Sequence, residues 1–155
     1  MNGIYHKIGI RAEPHEVMQA LTTADGLAGW WTDLVRGDFA GGAYRPGDVI
    51  RLDFVPGGFD LKVCELSPEH LVWEMLSGPE EWIGTHVDFQ LKSTQGPDGS
   101  GMTLVYFRHQ DWKRENEFVA HCSMKWATFL LSLRDWLEHG YGQPAPFDLR
   151  IDELH

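Results

Sequence analysis

The strongest constraint on the fold is a long stretch in the last third of the chain, in which large apolar side chains recur every three or four positions. It runs from Phe118 to Gly140. Its apolar members are Phe118, Cys122, Trp126, Phe129, Leu130, Leu133, Trp136 and Leu137. This spacing places them along one side of an α-helix of about six turns. The stretch is therefore predicted to be a helix whose apolar face is covered by the rest of the chain.

Alternation of apolar and polar residues predicts β-strands in much of the preceding sequence. The first strand covers Ile4 to Ile10, with every second side chain on one face. Further strands are predicted within residues 50–54, 59–63, 71–76, 83–92 and 102–109. Their short connections, which include a hairpin turn at Pro56-Gly57-Gly58, favour an antiparallel meander. The segment from Gly37 to Gly47, with a further turn glycine at Gly41, is predicted to be irregular.

Two short helices are predicted between the first strand and this meander. Pro14 suits the first turn of a helix, since the N–H that proline lacks has no partner there. A second helix runs through Leu27 to Trp31, and either Thr23 or Asp25 is suited to cap its N-terminus. The two tryptophans Trp30 and Trp31 are consecutive, so one is expected in the core and the other at a pocket rim or on the surface.

These elements predict one α+β domain over residues 1–155, with an irregular tail from 140 to 155. Phe147, Leu149 and Ile151 are candidates for holding that tail on the surface. The chain shows no basic and apolar leader and no run of about twenty apolar residues, so cytoplasmic location without a membrane span is expected.

The charge balance argues against two classes of partner. Asp and Glu number 23 against 13 Lys and Arg, which gives a net charge of −10. Such a surface repels nucleic acid and anionic membranes, so neither is an expected partner. Cys64 and Cys122 lie among apolar neighbours without a CxxC spacing. Buried free thiols are expected, and a disulfide is left open.

A helix that covers the concave face of a sheet can enclose a cavity. The inward side chains expected around it are Trp73, Phe89, Phe107 and Trp126, and concave apolar sites of this kind are usual for small molecules. The alternative is that the large rings fill the space, because protein interiors pack closely.

The ordered set of motifs resembles one known family. The motifs are Ala12-Glu13-Pro14-His15-Glu16-Val17, Ala20-Leu21-Thr22-Thr23, Gly29-Trp30-Trp31-Thr32, Val72-Trp73-Glu74, Trp82-Ile83-Gly84-Thr85 with Phe89, Thr103 to His109, Trp126 with Leu130-Leu131-Ser132-Leu133, and Leu137-Glu138-His139-Gly140. In this order they resemble the START-like (helix-grip, Bet v 1-like, SRPBCC) superfamily, and within it the branch related to the activator of Hsp90 ATPase. The resemblance implies a helix-grip fold with the order β-α-α-β6-α. Members include ligand carriers, cyclase-like enzymes and co-chaperone relatives, so it does not select one function.

The candidate ligand-binding residues combine expected apolar walls with two candidate polar groups, Tyr106 and His109. They are Trp73, Trp82, Phe89, Tyr106, Phe107, His109, Trp126 and Phe129. His109, near the end of its strand, is the main candidate for acid–base chemistry, because the pKa of histidine lies near neutrality, and His6 on the first strand is weighed in the same way. The alternative is that His109 is held by a neighbouring carboxylate such as Asp111. Trp82 is expected to gate the pocket or to cover the core.

Other catalytic chemistry finds little support in the sequence. No His pair has HxH or HxxxH spacing, and no nucleophile motif is present, so neither a metal site nor a cofactor is expected. Glu74 and Asp88 alternate with inward residues and are predicted to be solvated.

Three functions are therefore considered. The first is binding of a small hydrophobic or amphipathic molecule, the second a cyclase or aromatase type of enzyme using His109, and the third a chaperone-associated interaction module. Self-association as a homodimer, through a sheet edge or the Trp30–Trp31 region, is left open.

Overall fold

A curved antiparallel sheet of seven strands grips one long helix, as a computed structural model of residues 3–37, 42–54 and 57–155 describes. The elements are β1 (Gly3–Ile10), α1 (Pro14–Thr22), α2 (Ala24–Trp30), β2 (Leu34–Gly37), β3 (Val49–Asp53), β4 (Gly58–Ser67), β5 (His70–Met75), β6 (His86–Gln95), β7 (Gly101–Gln110) and α3 (Glu117–His139). A 3-10 turn, Glu80–Trp82, precedes β6. The order β-α-α-β6-α and the α+β helix-grip class are confirmed.

The strands lie in the spatial order β1-β7-β6-β5-β4-β3-β2, so β1 and β2 form the edges. Their register brings Phe89 opposite Phe107 and Trp73 opposite Val87, all on the concave face. β2 is a strand that the alternation pattern missed, because its four residues are mostly exposed and carry no buried face. The predicted turn residues Gly41 and Pro56 lie outside the described residues.

The caps of α3 explain why the sequence pattern located this helix so closely. The Asn116 side chain accepts a hydrogen bond from the N–H of Phe118 at 3.0 Å. At the other end Gly140 takes a φ of 84°, and its N–H donates to the carbonyl of Trp136. The apolar stripe is buried against the concave face of the sheet. Within residues 3–37, 42–54 and 57–155, none of the helices combines the length and the hydropathy that a membrane span needs.

The prediction that one of Trp30 and Trp31 is exposed is wrong. Both rings are buried and stack with centroids 5.4 Å apart. α2 ends at Trp30, and Trp31 is its C-cap, with φ −110° and ψ −66°. The two side chains therefore do not have to keep the angle that separates successive side chains in a helix. Thr23, and not Asp25, caps α2, since its hydroxyl accepts from the N–H of Gly26 at 3.0 Å.

Polar contacts hold the C-terminal tail, in contrast to the predicted apolar ones. Phe147 and Leu149 are exposed, whereas Lys125 and His121 of α3 bind Asp148 and Asp152 of the tail. Nearer the helix, Ala145 is buried beside Thr32, with which it forms an isolated β-bridge. The tail is therefore attached to α3 through charged side chains.

Candidate functional site

His109 lies at the centre of a buried polar chain between β7, β6 and α3. It has 0% exposure, and its Nδ1 lies 3.0 Å from the indole Nε1 of Trp126. Its Nε2 lies 2.8 Å from the hydroxyl of Thr85, which donates to the carbonyl of Trp82 at 2.6 Å. Because an indole nitrogen only donates, Nδ1 of His109 must accept and Nε2 must carry the proton. All polar groups of this chain are thus satisfied with a neutral imidazole.

Burial keeps this histidine neutral. Desolvation, with a smaller contribution from His86, lowers the pKa of His109 to about 3. The alternative that Asp111 holds His109 is wrong, because Asp111 binds Nδ1 of His86 at 2.8 Å. The imidazole does not reach solvent, so the geometry gives it a structural role in the core and does not favour general acid–base work.

Aromatic rings fill the middle of the space between sheet and helix. Trp31 stacks on Trp73 with centroids 5.2 Å apart, and Trp73 meets Phe89 edge-on at 5.1 Å. Phe107 in turn lies 4.7 Å from Trp126. Tyr44 joins them through its hydroxyl, which accepts from the indole of Trp73 at 2.8 Å. Close packing therefore holds for the central part of the predicted pocket.

A cleft of about 710 Å³ remains at one end of this packed core. It lies between the first half of α3, the β3–β4 hairpin and the loop before β6. Seven aromatic residues line it, namely Trp31, Phe54, Phe59, Trp82, Phe118, Trp126 and Phe129. Two further depressions of about 600 and 550 Å³ lie beside α1 and have more polar walls, such as Gln19 and Thr23.

The structure separates the eight predicted site residues into three groups. Trp82, Trp126 and Phe129 line the cleft. Trp73, Phe89, Phe107 and His109 are buried in the core beneath it. Tyr106 lies on the opposite face of the sheet with 36% exposure, where Lys7 lies over its ring at 5.6 Å. Strand alternation excludes Tyr106 from any site shared with its neighbours Val105 and Phe107, so its assignment to the pocket is wrong.

Several cleft residues were missed by the sequence reasoning. His121 and Lys125 lie one helical turn apart on α3, beside the stripe residues Cys122 and Trp126. A signal was available, because positions four apart on one helix face share a surface. Leu154 gave no signal, since only the folded tail brings it to the cleft.

Polar groups of the cleft are few and paired. The indole N–H of Trp82 donates to the Cys122 sulfur at 3.4 Å, and burial raises the pKa of this thiol to about 12. Nδ1 of His121 lies 2.7 Å from Asp152, and this hydrogen bond holds the pKa of Asp152 below its usual value. Lys125 binds Asp148 and also lies over the ring of Phe129 at 5.3 Å. Because burial raises the pKa of the Cys122 thiol, this thiol is poorly suited to act as a nucleophile.

The structure also shows where the remaining carboxylate and cysteine side chains of the sequence analysis lie. The prediction that Asp88 is solvated is wrong. Asp88 is buried on the outer face of the sheet and binds Nε2 of His70 at 3.1 Å. Cys64 is exposed rather than buried, Cys122 is buried, and both are free thiols. Across residues 3–37, 42–54 and 57–155, no three His, Cys, Asp or Glu side chains come together in a way that would hold a metal ion.

Comparison with known proteins gives matches among solved structures. No family model and no curated protein matches the sequence. The solution structure of the Aha1 dimer from Colwellia psychrerythraea is 43% identical with a TM-score of 0.79, and the match covers 92% of this chain and 100% of that one. A Staphylococcus saprophyticus protein is 15% identical with a TM-score of 0.72, over 93% and 98% of the two chains. DynU16, a putative protein in the dynemicin biosynthetic locus, is 22% identical with a TM-score of 0.63, over 92% of this chain and 49% of that one. These last two likenesses show the fold alone.

Proposed function

The chain belongs to the START-like superfamily, in the branch related to the activator of Hsp90 ATPase, and from this premise we propose that it binds a small amphipathic molecule in the aromatic cleft. The observation that supports the proposal is the cleft itself, about 710 Å³ with seven aromatic residues among its walls. Clefts of roughly 300–1,000 Å³ with apolar walls and a few polar groups are the usual form of small-molecule sites.

The chemistry of the walls favours binding over catalysis. Trp82 and Trp126 lie almost parallel with centroids 6.2 Å apart, so a planar or aliphatic group near them meets apolar surface. His109, the residue predicted for acid–base chemistry, does not line the cleft and has both ring nitrogens hydrogen-bonded inside the protein. An enzyme of the cyclase type would need another residue in that role.

A titration with a neutral amphiphile tests this function. We expect 1-decanol to bind the full chain saturably with one site, observed by calorimetry and by tryptophan fluorescence. Trp82→Ala removes one cleft wall and should weaken binding about tenfold, or ~1.4 kcal/mol. Tyr106→Ala is the matched control, because it removes an aromatic ring from the other face of the sheet. Absence of saturable binding, or equal loss in both variants, would contradict the proposal.

A chaperone-associated interaction module is the second candidate. It is favoured by the 43% identity to Aha1 from Colwellia over the whole of that chain. The test is calorimetry of the purified chain against the Hsp90 of the same host. Saturable binding that survives Trp82→Ala would support an interaction surface separate from the cleft, whereas no heat of binding would argue against this candidate.

Self-association is a related proposal. The Colwellia protein was solved as a dimer, and both edge strands, β1 and β2, are available for pairing in a sheet whose other strands are paired on both sides. Light scattering after gel filtration should give a mass near twice that of the chain, and a monomer mass at high protein concentration would contradict it.

A further inference from the structure

The cleft has a charge pattern opposite to that of the whole molecule. The chain carries a net charge of −10. Yet the described residues that line the cleft include Arg51, His121 and Lys125 and no Asp or Glu. Electrostatic attraction in a site with low-dielectric aromatic walls is stronger than at an open surface. Arg51 is already paired with Asp53 at 2.9 Å outside the lining, so the groups that would attract a negative ligand are His121 and Lys125.

The protein itself supplies such negative groups from its C-terminal tail. Nδ1 of His121 contacts Oδ2 of Asp152 at 2.7 Å. Lys125 contacts the Asp148 carboxylate, and its Nζ also donates to the carbonyl of Leu149 at 2.7 Å. The two titratable groups that α3 presents to the cleft are thus matched by two tail carboxylates, which lie outside the cleft lining.

Residues 152–154 have the chemistry of an amphipathic ligand. Asp152 places one carboxylate oxygen on His121 and accepts the N–H of Leu154 on the other at 2.9 Å. Two residues further on, Leu154 brings an apolar side chain into the cleft lining. A carboxylate and an apolar group are therefore held next to each other at the mouth by a single tight turn.

The contact between His121 and Asp152 is more easily broken than the contact between Lys125 and Asp148. The Lys125 and Asp148 side chains keep only 14% and 5% of their surface exposed, so separating them would leave charges buried without a partner. Asp152 has 31% of its side chain exposed and Leu154 is 58% exposed. Displacing residues 152–154 breaks the His121–Asp152 hydrogen bond and the 3.2 Å contact of Lys125 Nζ with the carbonyl of His155, while the Lys125–Asp148 contact still anchors the tail.

We infer that the cleft prefers an amphipathic molecule with an anionic head group, and that residues 152–154 compete with that molecule for His121 and the apolar walls. This inference rests on the proposed function. The head group takes the place of the Asp152 carboxylate at His121, close to Lys125. The apolar body replaces Leu154 and continues along the aromatic walls.

The experiment compares three probes of equal chain length, which are decanoate, 1-decanol and decyltrimethylammonium. Calorimetry with the full chain should give the tightest binding for decanoate, by about tenfold over decanol. Asp152→Asn should tighten decanoate binding about threefold or more and change decanol binding less. The matched control is Asp98→Asn, which removes the same charge from a loop far along the sheet, where Asp98 binds Ser100. His121→Gln should reduce the preference for decanoate.

An independent measurement keeps the inference testable if a variant is unstable. In the unaltered chain, decanoate should shift the amide NMR signals of Asp152 and Leu154, since binding displaces them, and leave that of Asp98 unchanged. Equal affinity for decanoate and decanol, with unmoved tail signals, would overturn the inference and leave the proposed function standing. Failure of all three probes to bind would overturn both.

Discussion

Trp126 of α3 donates its indole N–H to Nδ1 of His109 on β7 across 3.0 Å, and so ties the long helix to the strand next to the edge strand β1. The contact is fully buried, and on the other side of the imidazole Thr85 completes the chain. One hydrogen bond therefore determines both the tautomer of His109 and the position of the cleft wall that Trp126 forms.

Removing this donor should be costly. Trp126→Phe retains a ring but leaves the Nδ1 acceptor of His109 buried without a partner, so we expect a loss of about 2–4 kcal/mol in unfolding free energy. Trp82→Phe is the control, because its indole donates only to the weakly accepting sulfur of Cys122 at the half-buried cleft. Urea denaturation of both variants measures the difference, and equal losses would contradict this account of His109.

The pH dependence of stability should carry the signature of His109. Its pKa is about 3 in the folded protein against an ordinary 6.5. The unfolded chain therefore binds the proton first, and stability is lost as the pH falls from about 6.5 toward about 3. Between about pH 7 and pH 5 the loss from this residue is about 2 kcal/mol.

Urea denaturation at the two pH values, in the unaltered protein and in His109→Gln, checks that prediction. The variant should lose less stability on acidification than the unaltered chain. His139→Gln, at an exposed position in the last turn of α3, should keep the full dependence. An unchanged pH dependence in His109→Gln would show that other groups are responsible.

Close backbone contact at Gly26 should override helix propensity. A Cβ at this position would lie 2.6 Å from the Cα of Ala20 in α1, and a backbone atom cannot move aside cheaply. Gly26→Ala should therefore destabilise the protein by about 1–3 kcal/mol, although alanine favours an isolated helix by up to about 1 kcal/mol. Asp25→Ala, at an exposed neighbouring position, should stay within about 0.5 kcal/mol in the same thermal or urea measurement.

The attachment of the tail should depend on Lys125. Lys125→Met removes the cation that binds Asp148 and leaves that carboxylate buried, so the tail should detach while the sheet stays folded. We expect limited proteolysis within residues 141–155 to accelerate about tenfold or more. The control variant Lys113→Met, altered on an exposed loop, should be cleaved at the same rate as the unaltered chain. Adding Asp148→Asn to Lys125→Met should restore part of the protection, and the absence of any rescue would contradict a role for the pair.

The fold could be predicted because its signals are local. The helix predicted from Phe118 to Gly140 is observed at Glu117–His139, since periodicity and a terminal glycine act within a few residues. The strand β2 was missed because four mostly exposed residues carry no pattern. Tyr106 was misplaced although its own strand alternation already excluded it.

The site was harder to predict, because it depends on contacts between residues distant in the sequence. Which rings fill the core and which line the cleft is decided by the packing of Trp31 against Trp73 and Trp126, about which spacing says nothing. Residue type alone does not tell whether His109 faces solvent or is enclosed. Its hydrogen bonds to Thr85 and Trp126, which form only in the fold, are what disfavour acid–base work.

The sequence by itself determined the bounds of the long helix and the inward face of the strands that it located, because these follow from interactions within one or two turns of chain, and the family resemblance added the helix-grip order. The cap of α2 stayed open between Thr23 and Asp25 until the structure showed that Thr23 caps it. Only the tertiary structure decided that the centre is filled and that a cleft remains at one end. It alone brought Asp152 and Leu154 to that cleft, because close packing and charge pairing are properties of surfaces that meet only after folding.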